Sequence, residues 1–394
     1  MCTAAIPPAI LLQENKFMIL HVIKSKIYSG AENVVCQIIK GLSDREEFIY
    51  MAPHGPIEDK LKSIGLYDNY YGIDKLDVDS IKAAVEKFHP TVVHAHDFTA
   101  SVLCAFALKG SVPIISHLHN NPPWIQKFHY KTISYLMACK YIDHILMVSD
   151  AVRDEYRYTS KIKCPITIVG NPFSVDGVKA QVKQELFGAD GAGVSGEAGS
   201  LVGSRADGTW VSGVSEFQSY DSDLLFVGRL TEQKNPMLVL EVAKELAAAG
   251  LVKRVRIVGD GELMPELQQF VVDNGLSDVV VLEGFKKNSY DYMACTEVLM
   301  MPSKWEGFGL VALEAMSLGV PVVSTNSGGL VKIMDDSCGF ICEGKDEFVA
   351  AITSLLTDAD LYASKSSGAT KRSMEYNNID EYCGKLLDIY RSFQ

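Results

Sequence analysis

Short, mostly apolar runs alternate with longer stretches whose apolar positions recur every three or four residues, almost from end to end of the chain. Runs of the first kind are Phe17–Ile23, Phe48–Ala52, Val92–His94, Ile114–His119, His144–Val148 and Ile166–Val169. They read as strands buried on both faces. Between them Asn33–Leu42, Asp79–Phe88, Thr99–Leu108 and Trp124–Tyr141 carry the helical period. The pattern restarts after Asn171-Pro172. Its later strands are Leu224–Val227, Val255–Val258, Val279–Leu282, Val298–Met301, Val320–Ser324 and Gly339–Cys342. Helices fall between these strands too. One runs from Asn235-Pro236, which suit a cap and a first helical position, to Gly250, a natural terminator. The others are Met264–Asn274, Leu310–Leu318 and Asp346–Leu356. Strand–helix alternation of this kind calls for parallel sheets covered by helices on both sides. The expected fold class is therefore α/β, with two doubly wound, Rossmann-like domains at 16–172 and 223–375. Residues 173–222 form a linker, and 376–394 hold a final amphipathic helix, Ile379–Ser392.

The linker breaks the pattern. Gly188 to Gly213 holds eight glycines with no period, a composition expected to form a flexible insertion without packed structure over much of 188–222.

Charge divides the chain. The net charge of −12 comes from +1 through residue 172 and −13 beyond it, and all nine histidines precede residue 145. Two halves of different chemistry suggest two duties. An acidic chain without a basic stripe argues against nucleic acid. Nine cysteines, an odd count with no C-x2-C pair, sit mostly in apolar runs. They read as reduced core residues of a cytoplasmic protein. Ala4–Leu12 is short, lacks a basic start and contains Pro7-Pro8, so neither a signal peptide nor a membrane span is expected there.

Candidate chemistry gathers at strand ends. In Glu306–Ser324, two carboxylates, Glu306 and Glu314, bracket a Gly307-Phe308-Gly309 turn that opens a helix. Free N–H groups and the positive dipole end make such a turn an anion site. Carboxylates beside it can accept hydrogen bonds from hydroxyl groups, an arrangement that suits a sugar nucleotide. Arg229 follows the strand ending at Gly228, and Lys234 precedes a helix, so both can grip phosphate. Gly30, between the first strand and first helix, could present backbone N–H groups to the same diphosphate. Gly259-x-Gly261 is only part of a dinucleotide fingerprint, which leaves a nicotinamide cofactor poorly supported. His94-x-His96 and His117-x-His119 could suggest a metal, but no third ligand is fixed by spacing. His119, at the expected cleft, is the better functional candidate. Trp124–Tyr141 mixes aromatic residues with Lys127, Lys131 and Lys140, a combination suited to an anionic membrane surface or simply to covering the sheet.

Together, Gly30-Ala31-Glu32, His94-x-His96, His119-Asn120, Asn171-Pro172, Gly228-Arg229-Leu230 with Lys234, Gly259-x-Gly261 and Glu306-Gly-Phe-Gly-x4-Glu314 resemble the retaining glycosyltransferases of family four, with the two-domain GT-B fold. The likeness spans roughly 16–394 apart from the 178–222 insertion. It implies that Arg229 and Lys234 bind and stabilise the donor diphosphate, and that Gly30 meets it from the other domain. Glu314 would hold the ribose. Glu306 and the backbone of Phe308, Gly309 and Leu310 would hold the donor sugar, with His119 beside that sugar and the attacking hydroxyl. Glu306, His119, Arg229 and Lys234 would then be the catalytic set.

The resemblance further implies a UDP- or GDP-sugar donor, a glycan or lipid-linked glycan acceptor as in polysaccharide biosynthesis, no metal and no cofactor. The last helix would cross back onto the first domain, with cytoplasmic location and peripheral contact at the inner face of the membrane. Ser29 and Asn235 depart from glycines common in that family. Two other readings remain: a sugar-nucleotide-binding regulator without catalysis, and another GT-B enzyme such as a sugar-nucleotide epimerase. A glycosidase, the usual owner of paired carboxylates, would have no use for the phosphate grip.

Overall fold

The structure, a computed structural model, describes residues 16–183 and 221–393; the Gly/Ser-rich stretch expected to be loose lies almost wholly outside them. The strands are β1 (Met18–Val22), β2 (Glu47–Pro53), β3 (Tyr70–Ile73), β4 (Val92–His96), β5 (Ile114–Leu118), β6 (His144–Met147), β7 (Ile166–Ile168), β8 (Ser222–Val227), β9 (Val255–Val258), β10 (Val280–Gly284), β11 (Thr296–Met301), β12 (Val322–Thr325) and β13 (Gly339–Cys342). They form two wholly parallel sheets, one of seven strands ordered β3-β2-β1-β4-β5-β6-β7, the other of six ordered β10-β9-β8-β11-β12-β13. In each sheet the order reverses beside the first strand. Crevices that bind ligands in open α/β sheets open at that switch point, beyond the carboxyl ends of the strands.

The central strands are sealed on both faces: every residue of β4, β5, β9 and β11 is buried. A continuous apolar cluster joins the lobes. It runs from Ile19 and Ile38 in the first to Leu310, Leu313 and Leu330 in the second, and takes in Tyr382, Leu386 and Tyr390. Those last residues belong to the helix Ile379–Arg391, which packs along the helix Gly30–Leu42 of the first lobe. Tyr390 reaches the first sheet, its hydroxyl 2.7 Å from His94 Nδ1, and Arg391 donates to Glu46 at 3.1 Å. The chain crosses between lobes at two neighbouring points that are tied together. Asn378 and Asn377 accept from the backbone N–H groups of Phe173 (3.0 Å) and Val175 (3.2 Å).

Several local expectations are corrected. Trp124–Tyr141 is not one helix. A 3-10 turn, Pro123–Gln126, precedes the helix Tyr130–Ala138, because the extended backbone of Lys127 and His129 interrupts the ladder between them. The short edge strand β3 and the helix Ala359–Met374 have no counterpart in the sequence reading. Tyr70-Tyr71-Gly72-Ile73 is too brief to show alternation, and the helix is too polar to show a strong apolar stripe. Asn235 does not cap with its side chain; it takes a left-handed backbone (φ 51°) that lets Pro236 begin the helix. Ser222 already belongs to β8.

Candidate active site

The loop after β8 carries the cationic groups. Arg229 Nη2 donates to Gln233 Oε1 at 3.0 Å, and Gln233 Nε2 donates to the Trp305 carbonyl at 3.1 Å. Gln233 therefore fixes the guanidinium against the neighbouring loop. The Lys234 ammonium pairs with Glu306, both side chains less than 15% exposed. Such a pair, largely removed from water, depends on close geometry to offset its desolvation. It couples the loop after β8 to the Glu306-Gly307-Phe308-Gly309 turn.

That turn exists because glycine alone fits it. Gly309 has φ 108° at the start of the helix Leu310–Ser317, a backbone region open to glycine. A Cβ on Gly307 would lie 2.0 Å from the His119 carbonyl oxygen of the other lobe. The second lobe's turn thus rests directly on the end of β5, and Phe308 packs into the apolar clusters of both lobes. Gly259 and Gly261 have a related cause. A Cβ on either would strike the backbone of Gly228 or Leu230, so packing accounts for them without a dinucleotide.

Glu314 lies one turn into that helix, 9% exposed. Tyr290 donates to its carboxylate at 3.2 Å. Burial pushes its pKa up to about 7, while the Tyr290 hydrogen bond and the Lys60 charge pull it back. Lys60, from the helix Ile57–Ser63 of the first lobe, has its own pKa lowered, chiefly by desolvation.

On the opposite wall, His119 stands just past β5. Its backbone N–H donates to Asp97 at 3.4 Å, and its Nε2 lies 2.9 Å from His96 Nδ1. Burial lowers its pKa to about 3, so it is neutral at ordinary pH. Asp97 holds a left-handed backbone, φ 67°, where β4 becomes a helix. Burial raises its carboxyl pKa, against the opposing pull of the His119 N–H and, less, of the Arg229 charge. Gly30 is the first residue of the helix Gly30–Leu42, and no atom lies within 4 Å of where its Cβ would stand. Ser29 caps that helix: its N–H and hydroxyl donate to Glu32 at 3.0 and 2.6 Å.

Buried polar atoms without protein partners gather on these segments. They are His119 Nδ1, Asn120 Oδ1, Asn121 Oδ1 and Asn171 Oδ1 in the first lobe, and Thr231 Oγ1, Trp305 Nε1 and Ser324 Oγ in the second. Buried polar groups are ordinarily satisfied, so a concentration at strand ends marks a surface made for polar ligand. Gln233, Tyr290 and Lys60 escaped the sequence reading; only Gln233 left a trace, as a polar residue between two cations on one loop.

Two histidine triples, His21/His94/His96 and His96/His117/His119, bring ring nitrogens within 4.8 Å of one another. Both nitrogens of His96 already face other rings at 2.9 Å, so an ion there would displace those contacts. All eight cysteines among the described residues are free.

Two parallel α/β lobes meeting over one cleft define the GT-B architecture. Similarity to known proteins agrees. The glycosyl transferases group 1 model matches residues 213–372, and the Glycosyltransferase Family 4 model matches 28–176. The chain belongs to this family of glycosyltransferases. It is 32% identical over 170 residues to an Escherichia coli UDP-Gal:alpha-D-GlcNAc-diphosphoundecaprenol alpha-1,3-galactosyltransferase, covering 42% of this chain and 44% of that one. It is 31% identical over 181 residues to a D-inositol 3-phosphate glycosyltransferase from Thermobispora bispora, covering 42% of each. The matches thus span less than half of these relatives. In structure it resembles Anabaena Alr3699/HepE, solved with UDP and glucose (TM-score 0.74, 17% identity, 95% of this chain and 100% of that one). It also resembles a sucrose-phosphate synthase from Thermosynechococcus elongatus (TM-score 0.69, 13% identity, 96% and 99%).

Proposed function

We propose that the protein is a retaining, metal-independent glycosyltransferase that moves a sugar from a UDP-sugar to a hydroxyl of a glycan or lipid-linked glycan. The observation that carries this reading is the seating of the Glu306–Gly309 turn, itself paired to Lys234, on the His119 carbonyl. Donor-holding groups of one lobe thereby face a neutral imidazole of the other across one crevice.

Cleaving a sugar–diphosphate bond builds negative charge on the departing phosphate. Arg229 and Lys234, with the amino end of the helix Pro236–Ala248, are fixed donors aimed at that charge. They supply what a metal ion would otherwise supply. Glu314 accepts from the ribose hydroxyls once it is ionised. Glu306 and the backbone of Phe308, Gly309 and Leu310 hold the donor sugar, and Gly30 meets the diphosphate from the first lobe. His119, kept neutral by burial, stands beside the sugar. Closure of the lobes keeps water from the reacting carbon.

A uridine donor is favoured by the names of an Escherichia coli relative that uses UDP-Gal and of a structural neighbour solved with UDP. The former relative's diphosphoundecaprenol acceptor favours a lipid-linked one. No helix among the described residues is long and apolar enough to cross a membrane. Phe128, Tyr130 and Met137 are exposed near Lys127 and Lys131, which supports a cytoplasmic protein touching the inner membrane face.

A thermal-shift comparison of UDP, GDP and ADP sugars, followed by turnover of the radiolabelled donor with and without a lipid-linked acceptor, tests the reading. The expected result is stabilisation by a uridine donor and transfer that survives EDTA. Binding without turnover would favour a regulator, and an isomerised donor without acceptor would favour an epimerase.

A further inference from the structure

Beneath the site lies a row of histidines that the proposed reaction does not use. His21 on β1, His94 and His96 on β4 and His117 on β5 are at most 1% exposed. The strand register sets His21 beside His94 and His96 beside His117. Three rings run in file toward the cleft: His21 Nδ1 lies 2.9 Å from His96 Nε2, and His96 Nδ1 lies 2.9 Å from His119 Nε2.

A neutral imidazole carries one N–H and one bare nitrogen. Burial holds all three rings neutral. Each ring–ring contact needs one proton, so the three protons must point the same way. Either every ring is protonated at Nδ1, or every ring is protonated at Nε2. The two orders differ at the ends of the file, where His21 Nε2 and His119 Nδ1 are both buried without a partner in the chain. The Nε2 order would strand an N–H donor at His21 in the sheet interior, and orphaned buried N–H groups are rare. The Nδ1 order leaves only a bare nitrogen there. It also places an N–H at His119 on the side of Asn171, whose Oδ1 is likewise unpartnered and whose side chain interacts with this ring.

We infer that His21 and His96 are positioning residues whose aligned protons hold His119 in its Nδ1–H form, with that proton turned toward Asn171 and Nε2 accepting from His96. The inference deepens the glycosyltransferase reading and rests on it for the meaning of that form. With Nδ1 protonated and the Nε2 lone pair taken up by His96, His119 has no free nitrogen with which to take the acceptor's proton. His96 is the turning point because it alone lies within hydrogen-bond distance of both other rings of the file.

The test is long-range 1H–15N correlation NMR on the full chain labelled at histidine, at neutral pH, with ring signals assigned by single substitutions. The expected result is Nδ1–H on His21, His96 and His119. His96→Asn, whose amide donor replaces Nδ1–H, keeps His119 as Nδ1–H. His96→Leu removes that donor, yields mixed forms of His119, and lowers kcat roughly 10-fold or more with little change in KM. Should His96→Leu not fold, His21→Leu and His21→Asn give the same contrast one ring further away. Nε2–H on His119 in the unsubstituted protein, or an unchanged tautomer in both leucine variants, overturns the inference. So does uptake of one equivalent of zinc by these rings. The tautomer is read without turnover, so an inactive protein with Nδ1–H on His119 would count against the enzymatic reading alone.

Discussion

Replacing Glu314 by Gln should make the protein more stable and a poorer binder of nucleotide, with both effects depending on pH. The carboxyl is almost fully buried, and burial raises its pKa from an ordinary 4.5 to about 7 in the fold. A raised carboxyl pKa means that the fold prefers the neutral form. Stability from this group is therefore fully present below pH 4.5 and is lost progressively as pH climbs to 7. Above 7 the loss is complete and constant. A tenfold change in proton affinity is worth about 1.4 kcal/mol, so the ceiling on that loss is about 3 kcal/mol, lessened by whatever residual solvation the closed cleft retains. Gln keeps an oxygen to accept from Tyr290 and carries no charge. Its melting temperature should match that of the parent near pH 4.5 and exceed it by about 5 °C at pH 8, measured by calorimetry. Titration with UDP at pH 8 should show weaker binding by the variant. In the parent, affinity should fall as pH drops below 7 and Glu314 takes up its proton. An equal difference in melting temperature at both pH values, or unchanged UDP affinity, would refute the reasoning.

If Lys234 acts on the leaving phosphate as proposed, Lys234→Ala should lower turnover by about 10²–10³-fold, with circular dichroism confirming that the fold persists. Full activity would exclude Lys234 from the mechanism. Gly307→Ala forces a Cβ against the His119 carbonyl, and overpacking of this kind costs about 1–3 kcal/mol. The melting temperature should fall and donor affinity with it, and an unperturbed variant would mean that the lobes do not meet there in solution. Gln233→Ala frees Arg229 from its tether to the Trp305 carbonyl. It should weaken donor binding in a fluorescence or calorimetric titration while leaving the melting temperature nearly unchanged.

Most strands of both lobes were legible because residues buried on both faces are mostly apolar, as Val298–Met301 of β11 are. The Glu306–Glu314 block was legible because a turn demanding Gly309 beside paired carboxylates leaves a compact signature. The long helix Ala359–Met374 was not: its largely exposed surface carries little apolar rhythm. The break at Lys127–His129 inside the Trp124–Tyr141 pattern left no such mark, since no proline or glycine stands there.

What the sequence by itself determined was the order and kind of elements and the residue types at strand ends, since these depend on neighbours three or four positions apart. What only the tertiary structure decided was which of them meet. Lys234 pairs with Glu306, 72 positions away, and Gln233 holds Arg229 to Trp305. Tyr290 bonds Glu314, and His21 joins His119 through His96. Those contacts, and the displaced proton affinities of Glu314 and the histidines, arise from burial and from charge across a cleft. Burial is set by the packing of whole lobes, so no local pattern of residues can encode it.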